Sequence, residues 1–170
     1  DFGDATVSRR NGAAGCASTT RGIISGGMDT SSATFWNQID YITIGSTGNA
    51  TDFGDLTVAR QGITGCSNAT RGLFMGGEGG SGRSNVIDYV TIASAGNATD
   101  FGDLLSTVTV GTACASSTRG VHGGGSISGG RQNVMQYVTI ASTGNATDFG
   151  DLAANTYRFG GTSTVHGGLS

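Results

Sequence analysis

The chain has 170 residues, 32 of them Gly and none Pro, with a formal net charge of −3, and all nine of its cations are Arg. That length suits a single domain with a real core, and the mild, dispersed charge argues against a nucleic-acid surface. No run nears the roughly 20 apolar residues of a membrane helix, and no charged-then-apolar leader stands at residue 1, so no nucleic acid and no membrane insertion are expected.

Repetition sets the order along the chain. GNATDFGDL stands unchanged at 48–56, 96–104 and 144–152, and Asp1-Phe2-Gly3-Asp4 is a partial copy. The first Asp of each DFGD falls at 1, 52, 100 and 148, so the spacing is 51 and then 48 twice. Periods of this size mark propellers and solenoids. The expected division of one repeat domain, 1–170, is 1–4 as the last strand of a preceding or closing unit, then repeats 5–55, 56–103 and 104–151, and a partial repeat 152–170.

Taking 55–102 as the type unit, a first short strand is predicted around Gly62–Ser67 and a second at Arg71–Met75, which stops at Gly76-Gly77. The same doublet is read at Gly26-Gly27, Gly123-Gly124 and Gly167-Gly168, where Gly permits positive φ and close backbone approach. The third strand, Val86–Ile92, is rich in β-branched and aromatic residues, and its equivalents are Ile39–Ile44 and Val134–Ile140. Its apolar residues occupy both parities, Ile87 and Tyr89 on one face and Val90 and Ile92 on the other, as in a strand covered on both sides. Thr99–Leu104, with the DFGD, is the fourth strand. Turn residues separate all four, and no helical period is sustained.

Four strands per unit is the propeller count. A glycine doublet after an apolar strand, then a strand carrying Tyr, then an aromatic near the end of the unit resembles the Kelch repeat. Phe2, Phe53, Phe101 and Phe149 hold the slot that is usually Trp there. YVTIAS-GNATDFGDL, followed by a Cys/Ser-rich segment and TRG, resembles repeats of marine bacteriophage tail-fibre and virion structural proteins, whose arrays often end in HGGL as Thr162–Ser170 does here. The expected fold is an all-β, Kelch-like β-propeller of four-stranded blades, a small or incomplete ring, with 1–4 and 152–170 contributing to one closing blade; a β-solenoid is the alternative. The resemblance implies a virion or extracellular location.

A kinase reading of DFG fails for want of a catalytic Lys, because the chain has none. The motif reads better as structure: Phe wedges between blades, Gly turns the chain and the Asp side chains cap backbone N–H groups. Arg21, Arg71 and Arg119, each followed by Gly, recur beside recurring Asp and suggest Arg–carboxylate fasteners between blades. Ser163-Thr164 fills that slot in the last unit. Cys16, Cys66 and Cys114 occupy one slot per repeat, too far apart for a bridge if the sheets stack about 10 Å apart, and read as small buried thiols. His122 and His166 lie in matching VHGG segments, one per unit, which is too few for a zinc site; no metal and no cofactor are expected. Asn49, Asn68, Asn97 and Asn145 are sequons that fit turns as well as glycans.

The segment between the second and third strands varies while the scaffold repeats: MDTSSATFW at 28–36, EGGSGRS at 78–84 and GSISGGRQ at 125–132. Loops on a rigid scaffold are where binding usually resides, which makes Asp29, Phe35, Trp36, Glu78, Arg83 and Arg131 the candidate binding residues, with Phe35 and Trp36 expected as exposed stacking platforms. No catalytic constellation competes with the repeat for these side chains, so the expected protein is not an enzyme. The expected function is that of a structural or adhesive module of a virion fibre or extracellular filament, binding a host-surface glycan. Its partners are then itself, other virion or filament proteins, or that glycan. The alternatives are pure assembly or decoration, and a polysaccharide depolymerase carried on a fibre.

Overall fold

The structure, a computed structural model, describes residues 1–162. In the first repeat β1 (Ala14–Ala17), β2 (Arg21–Ser25), β3 (Met28–Asp29), β4 (Thr34–Phe35), β5 (Gln38–Thr43) and β6 (Thr51–Asp55) follow one another. The second has β7 (Thr64–Ser67), β8 (Arg71–Met75), β9 (Glu78–Gly79), β10 (Gly82–Arg83), β11 (Val86–Thr91) and β12 (Thr99–Asp103). The third has β13 (Thr112–Ala115), β14 (Arg119–Gly123), β15 (Ser126–Ile127), β16 (Gly130–Thr139) and β17 (Thr147–Thr156). Each repeat forms one four-stranded antiparallel meander, β1-β2-β5-β6, β7-β8-β11-β12 and β13-β14-β16-β17, with a two-residue ribbon standing off the end of its second strand.

The protein is therefore all-β, built of successive antiparallel sheets. All ladders among the described residues are antiparallel, whereas a solenoid would hydrogen-bond its turns in parallel. Adjacent sheets meet through their first strands, β1 against β7 and β7 against β13. These strands are made of small residues, and a groove of about 350 Å3 runs over them, lined by Ala14, Gly15, Thr64, Gly65, Thr112 and Ala113 among others.

One apolar core fills each junction. Ile23, Ile39, Phe53 and Leu56 of the first repeat meet Ile63, Phe74, Val90 and Ile92. Leu73, Met75, Ile87, Phe101 and Leu104 of the second meet Val108, Val138 and Ile140. The double parity of β11 is thereby explained: Ile87 and Tyr89 face the third sheet, and Val90 and Ile92 face the first.

Several local expectations need correction. Residues 1–4 are not a strand, because among the described residues no third strand lies beside them to pair with; they dock through Gly48 and Ala50, whose N–H groups donate to the Phe2 and Asp4 carbonyls, and through Asn49, whose Oδ1 accepts from Asp4 N–H. No ladder among the described residues joins 1–4 to 152–162, so no shared closing sheet forms there. The DFGD at 52–55 and 100–103 lies in the fourth strand as expected, but its Gly does not turn the chain: Gly54 stands at φ 141° within the strand, beside a bulge in the ladder to β5. The third glycine doublet is Gly124-Gly125, at φ 63° and 100°, matching Gly76-Gly77 at 64° and 105°; the run of three glycines had placed it one residue early. Gly167-Gly168, Ser163-Thr164 and His166 lie outside the described residues.

Candidate binding surface

In a meander the ribbons after the second strands share one end of their sheets, and the turns between strands one and two lie at the other. Each ribbon is gripped from both sides by backbone. The linker entering its own sheet bridges it, Asn11 to Met28, Gln61 to Glu78 and Thr109 to Ser126. The linker leaving for the next sheet ties beneath it, Gly27 donating to the Arg60 carbonyl and Gly77 to that of Val108. Variable side chains therefore sit on a rigid base.

The candidate residues divide on this base. Arg83 is exposed and its guanidinium donates to Ser126 Oγ of the next ribbon at 3.3 Å, so the second and third ribbons are neighbours. Arg131 is exposed and lies 4.3 Å over the Tyr157 ring, with Arg158 at 5.7 Å from the same ring. Glu78 accepts a 3.1 Å bond from Gln61. Asp29 is held below the usual carboxylate range by hydrogen bonds from Ser31, with Arg10 3.7 Å away. Phe35 and Trp36 are half-buried, not free platforms. The Trp36 indole N–H donates to the Ser8 carbonyl at 3.0 Å, which fastens the entering linker. An aromatic beside a linker finds apolar area and a carbonyl together, and so is drawn inward.

Tyr157 and Arg158 escaped the sequence reading. Arg158 stands at φ 56°, the slot of Gly12 and Gly62 at 65° and 62°, and its N–H donates to the Val110 carbonyl as that of Val110 does to Gly62. Counting forward from DFGD would have found the pair, since Gly62 and Arg158 each stand ten residues after its first Asp, but TYRFGG shares only its last Gly with RQGITG.

The other recurring residues serve the junctions. Arg21, Arg71 and Arg119 lie 4.6–4.7 Å over Tyr41, Tyr89 and Tyr137. Arg21 donates to the Ile92 carbonyl and Arg71 to that of Ile140, at 3.0 and 2.9 Å, so they fasten sheets through carbonyls and rings and not through carboxylates. The buried ion pairs belong elsewhere, Arg9 to Asp40 at 2.6 Å and Arg60 to Asp88 at 2.8 Å. Burial pulls the Arg60 pKa down and that of Asp88 up, each opposed by the partner's charge.

The Asn49, Asn97 and Asn145 side-chain oxygens accept from Asp4, Asp55 and Asp103 N–H. Asn68 instead caps a turn, accepting from Thr70 and Arg71 N–H. Asp1, Asp52 and Asp148 each cap the N–H of the Gly two residues on. The cysteines are free thiols, and burial raises the Cys16 pKa to about 12. His122 fills the slot of Phe74, and burial lowers its pKa to about 4. No protein-family model and no curated protein matches the chain.

Proposed function

We propose that the chain is a run of Kelch-like propeller blades forming a non-enzymatic structural and adhesive module of a virion fibre or extracellular filament, whose ribbon row meets a host-surface glycan. The observation that carries the reading is the juxtaposition of exposed Arg83 and Arg131 on neighbouring ribbons, with the Tyr157 ring 4.3 Å from Arg131 and 5.7 Å from Arg158. Forked donors beside an aromatic ring suit the carboxylates or sulfates and the C–H faces of an acidic polysaccharide. Each site would bind weakly, and many copies on one fibre supply avidity. With Trp36 committed to Ser8, recognition falls to the arginines and Tyr157.

The test is adsorption of multivalently displayed protein to an acidic host polysaccharide. The Arg83→Ala/Arg131→Ala double variant should lose at least about tenfold in apparent affinity, or 1.4 kcal/mol, with the fold intact. Unchanged adsorption would leave the assembly role in place of the adhesive one. Shortened polysaccharide chains in the same incubation would replace both by the depolymerase reading.

A further inference from the structure

We propose that the two ends of the array are halves of one interface, so that copies of this chain dock head to tail, third sheet against first. The internal junctions define what such a contact holds. At each, an Arg donates to the Ile carbonyl that follows the third strand of the next sheet, Arg21 to Ile92 and Arg71 to Ile140. A cysteine sulfur lies where the next sheet offers only Gly, Cys16 at Gly72 and Cys66 at Gly120. Along the outer strand, Gly96 and Gly144 N–H donate to the Phe53 and Phe101 carbonyls, while Asn97 and Asn145 accept from Asp55 and Asp103.

At the ends of the chain these halves stand without the mate that a neighbouring sheet provides, apart from Gly48 and Asn49, whose partners are Phe2 and Asp4 of the same chain. Arg119 is exposed and, among the described residues, its side chain rests on Tyr137 of its own sheet, while Arg21 and Arg71 are half-buried. Ile44, the counterpart of Ile92 and Ile140 at 1% and 0% exposure, is 45% exposed. A Cβ on Gly22 would meet only Ile42 of its own sheet, whereas one on Gly72 would meet Cys16 Sγ at 2.5 Å. Phe149 is 49% exposed against 3% and 2% for Phe53 and Phe101. A Cβ on Gly150 would meet nothing within 4 Å, whereas one on Gly54 would lie 2.5 Å from the Gly96 carbonyl.

The two faces match slot for slot. A docked copy places Arg119 on the Ile44 carbonyl and Cys114 on Gly22 of its neighbour, and lays Phe149-Gly150-Asp151 where Phe2-Gly3-Asp4 now meets Gly48 and Ala50. The neighbour's own DFGD at 1–4 is displaced. Because the exchanged backbone bonds are the same, the gain comes from covering Ile44, Phe149 and the open sheet faces. Such a contact is heterologous, and copies either close into a ring or extend.

The inference rests on the repeat-array part of the proposed function and not on glycan binding. Its readout is mass, so adsorption and assembly fail separately. Sedimentation of the full chain up to about 1 mM, the weak end of specific association, should show concentration-dependent oligomers. Ile44→Asp and Arg119→Glu, both at exposed positions, should each weaken association at least about tenfold. Mixed in equal amounts, they retain one intact pair of faces and should form dimers and nothing larger, and this recovery also shows that both variants are folded. Removing residues 1–4 should strengthen association of the otherwise unaltered chain. A monomer at the highest concentration, with or without residues 1–4, overturns the proposal and leaves the faces to another occupant. So does association indifferent to both substitutions, or a mixture that recovers no dimer.

Discussion

Thr57, Arg60 and Asp88 form a polar set inside the second repeat, with Arg60 and Asp88 buried. Thr57 Oγ1 and Arg60 Nη2 both donate to the Asp88 carboxylate, and the guanidinium also donates to the Val86 and Phe74 carbonyls. The first repeat carries the same set as Thr6, Arg9 and Asp40. In the third, the slots hold Leu105, Val108 and Gln136, and Gln136 Oε1 accepts from Leu105 N–H. Cation and anion have gone together, as they must, since a lone buried charge is far costlier than the pair. Arg60→Val should therefore lose about 3–5 kcal/mol of unfolding free energy by leaving Asp88 buried and uncompensated. Adding Asp88→Gln, which recreates the third repeat's pair, should restore all but about 1–2 kcal/mol in a double-mutant cycle. Urea denaturation of the four proteins checks this; a double variant no more stable than the single one would refute the account.

Among the elements, the outer strand is the most constrained. Gly54 stands at φ 141° and Gly150 at 132°, backbone that side chains rarely adopt, so Ala at either position meets strain of order 1–3 kcal/mol. Only at Gly54 does the new Cβ also strike the backbone of the next repeat, 2.5 Å from the Gly96 carbonyl carbon and oxygen. Gly54→Ala should thus cost about 1–3 kcal/mol more than Gly150→Ala, the usual scale of overpacking. Equal losses by chemical denaturation would mean that the DFGD contact contributes little to the junction. The same logic accounts for the Arg-Gly pair that opens each second strand. Arg spans the junction, and Gly leaves room for the preceding sheet's sulfur.

At the scale of the whole molecule, the principal contacts between sheets among the described residues join neighbours, so stability is approximately a sum of repeat and junction terms. The middle sheet is covered on both faces by the two cores, and each outer sheet on one. Backbone amides of β8 and β11 should then exchange most slowly, with β2, β5, β14 and β16 opening earlier, as measured by hydrogen-exchange mass spectrometry in dilute solution. Uniform protection across the three repeats would point to a single cooperative unit.

The recurrence of GNATDFGDL, the double parity of VIDYVTI and the turn glycines were enough to place the four strands of the second repeat within two residues of their ends, because pattern at period two and positive-φ Gly are local properties of the chain; in the third repeat β16 and β17 each run four residues beyond the expected strand. The segment Arg71–Met75 matches β8 end to end. What lay beyond local reading was the choice of partner. Nothing in the letters tells whether Arg9 or Arg21 reaches a carboxylate, since both recur beside Asp; the buried side of the linker selects Arg9 and Arg60, and the junction gives Arg21 and Arg71 a ring and a carbonyl. Trp36 turned inward for the same reason, through a carbonyl 28 residues earlier in the chain. Tyr157 joined Arg131 and Arg158 only because the chain repeats its path where it no longer repeats its letters. Composition and period determined the class of fold and the strand plan, whereas only the packing of linker on sheet and of sheet on sheet decided which side chains pair, because those contacts join residues 28 to 71 positions apart and are settled by burial and not by neighbours in sequence.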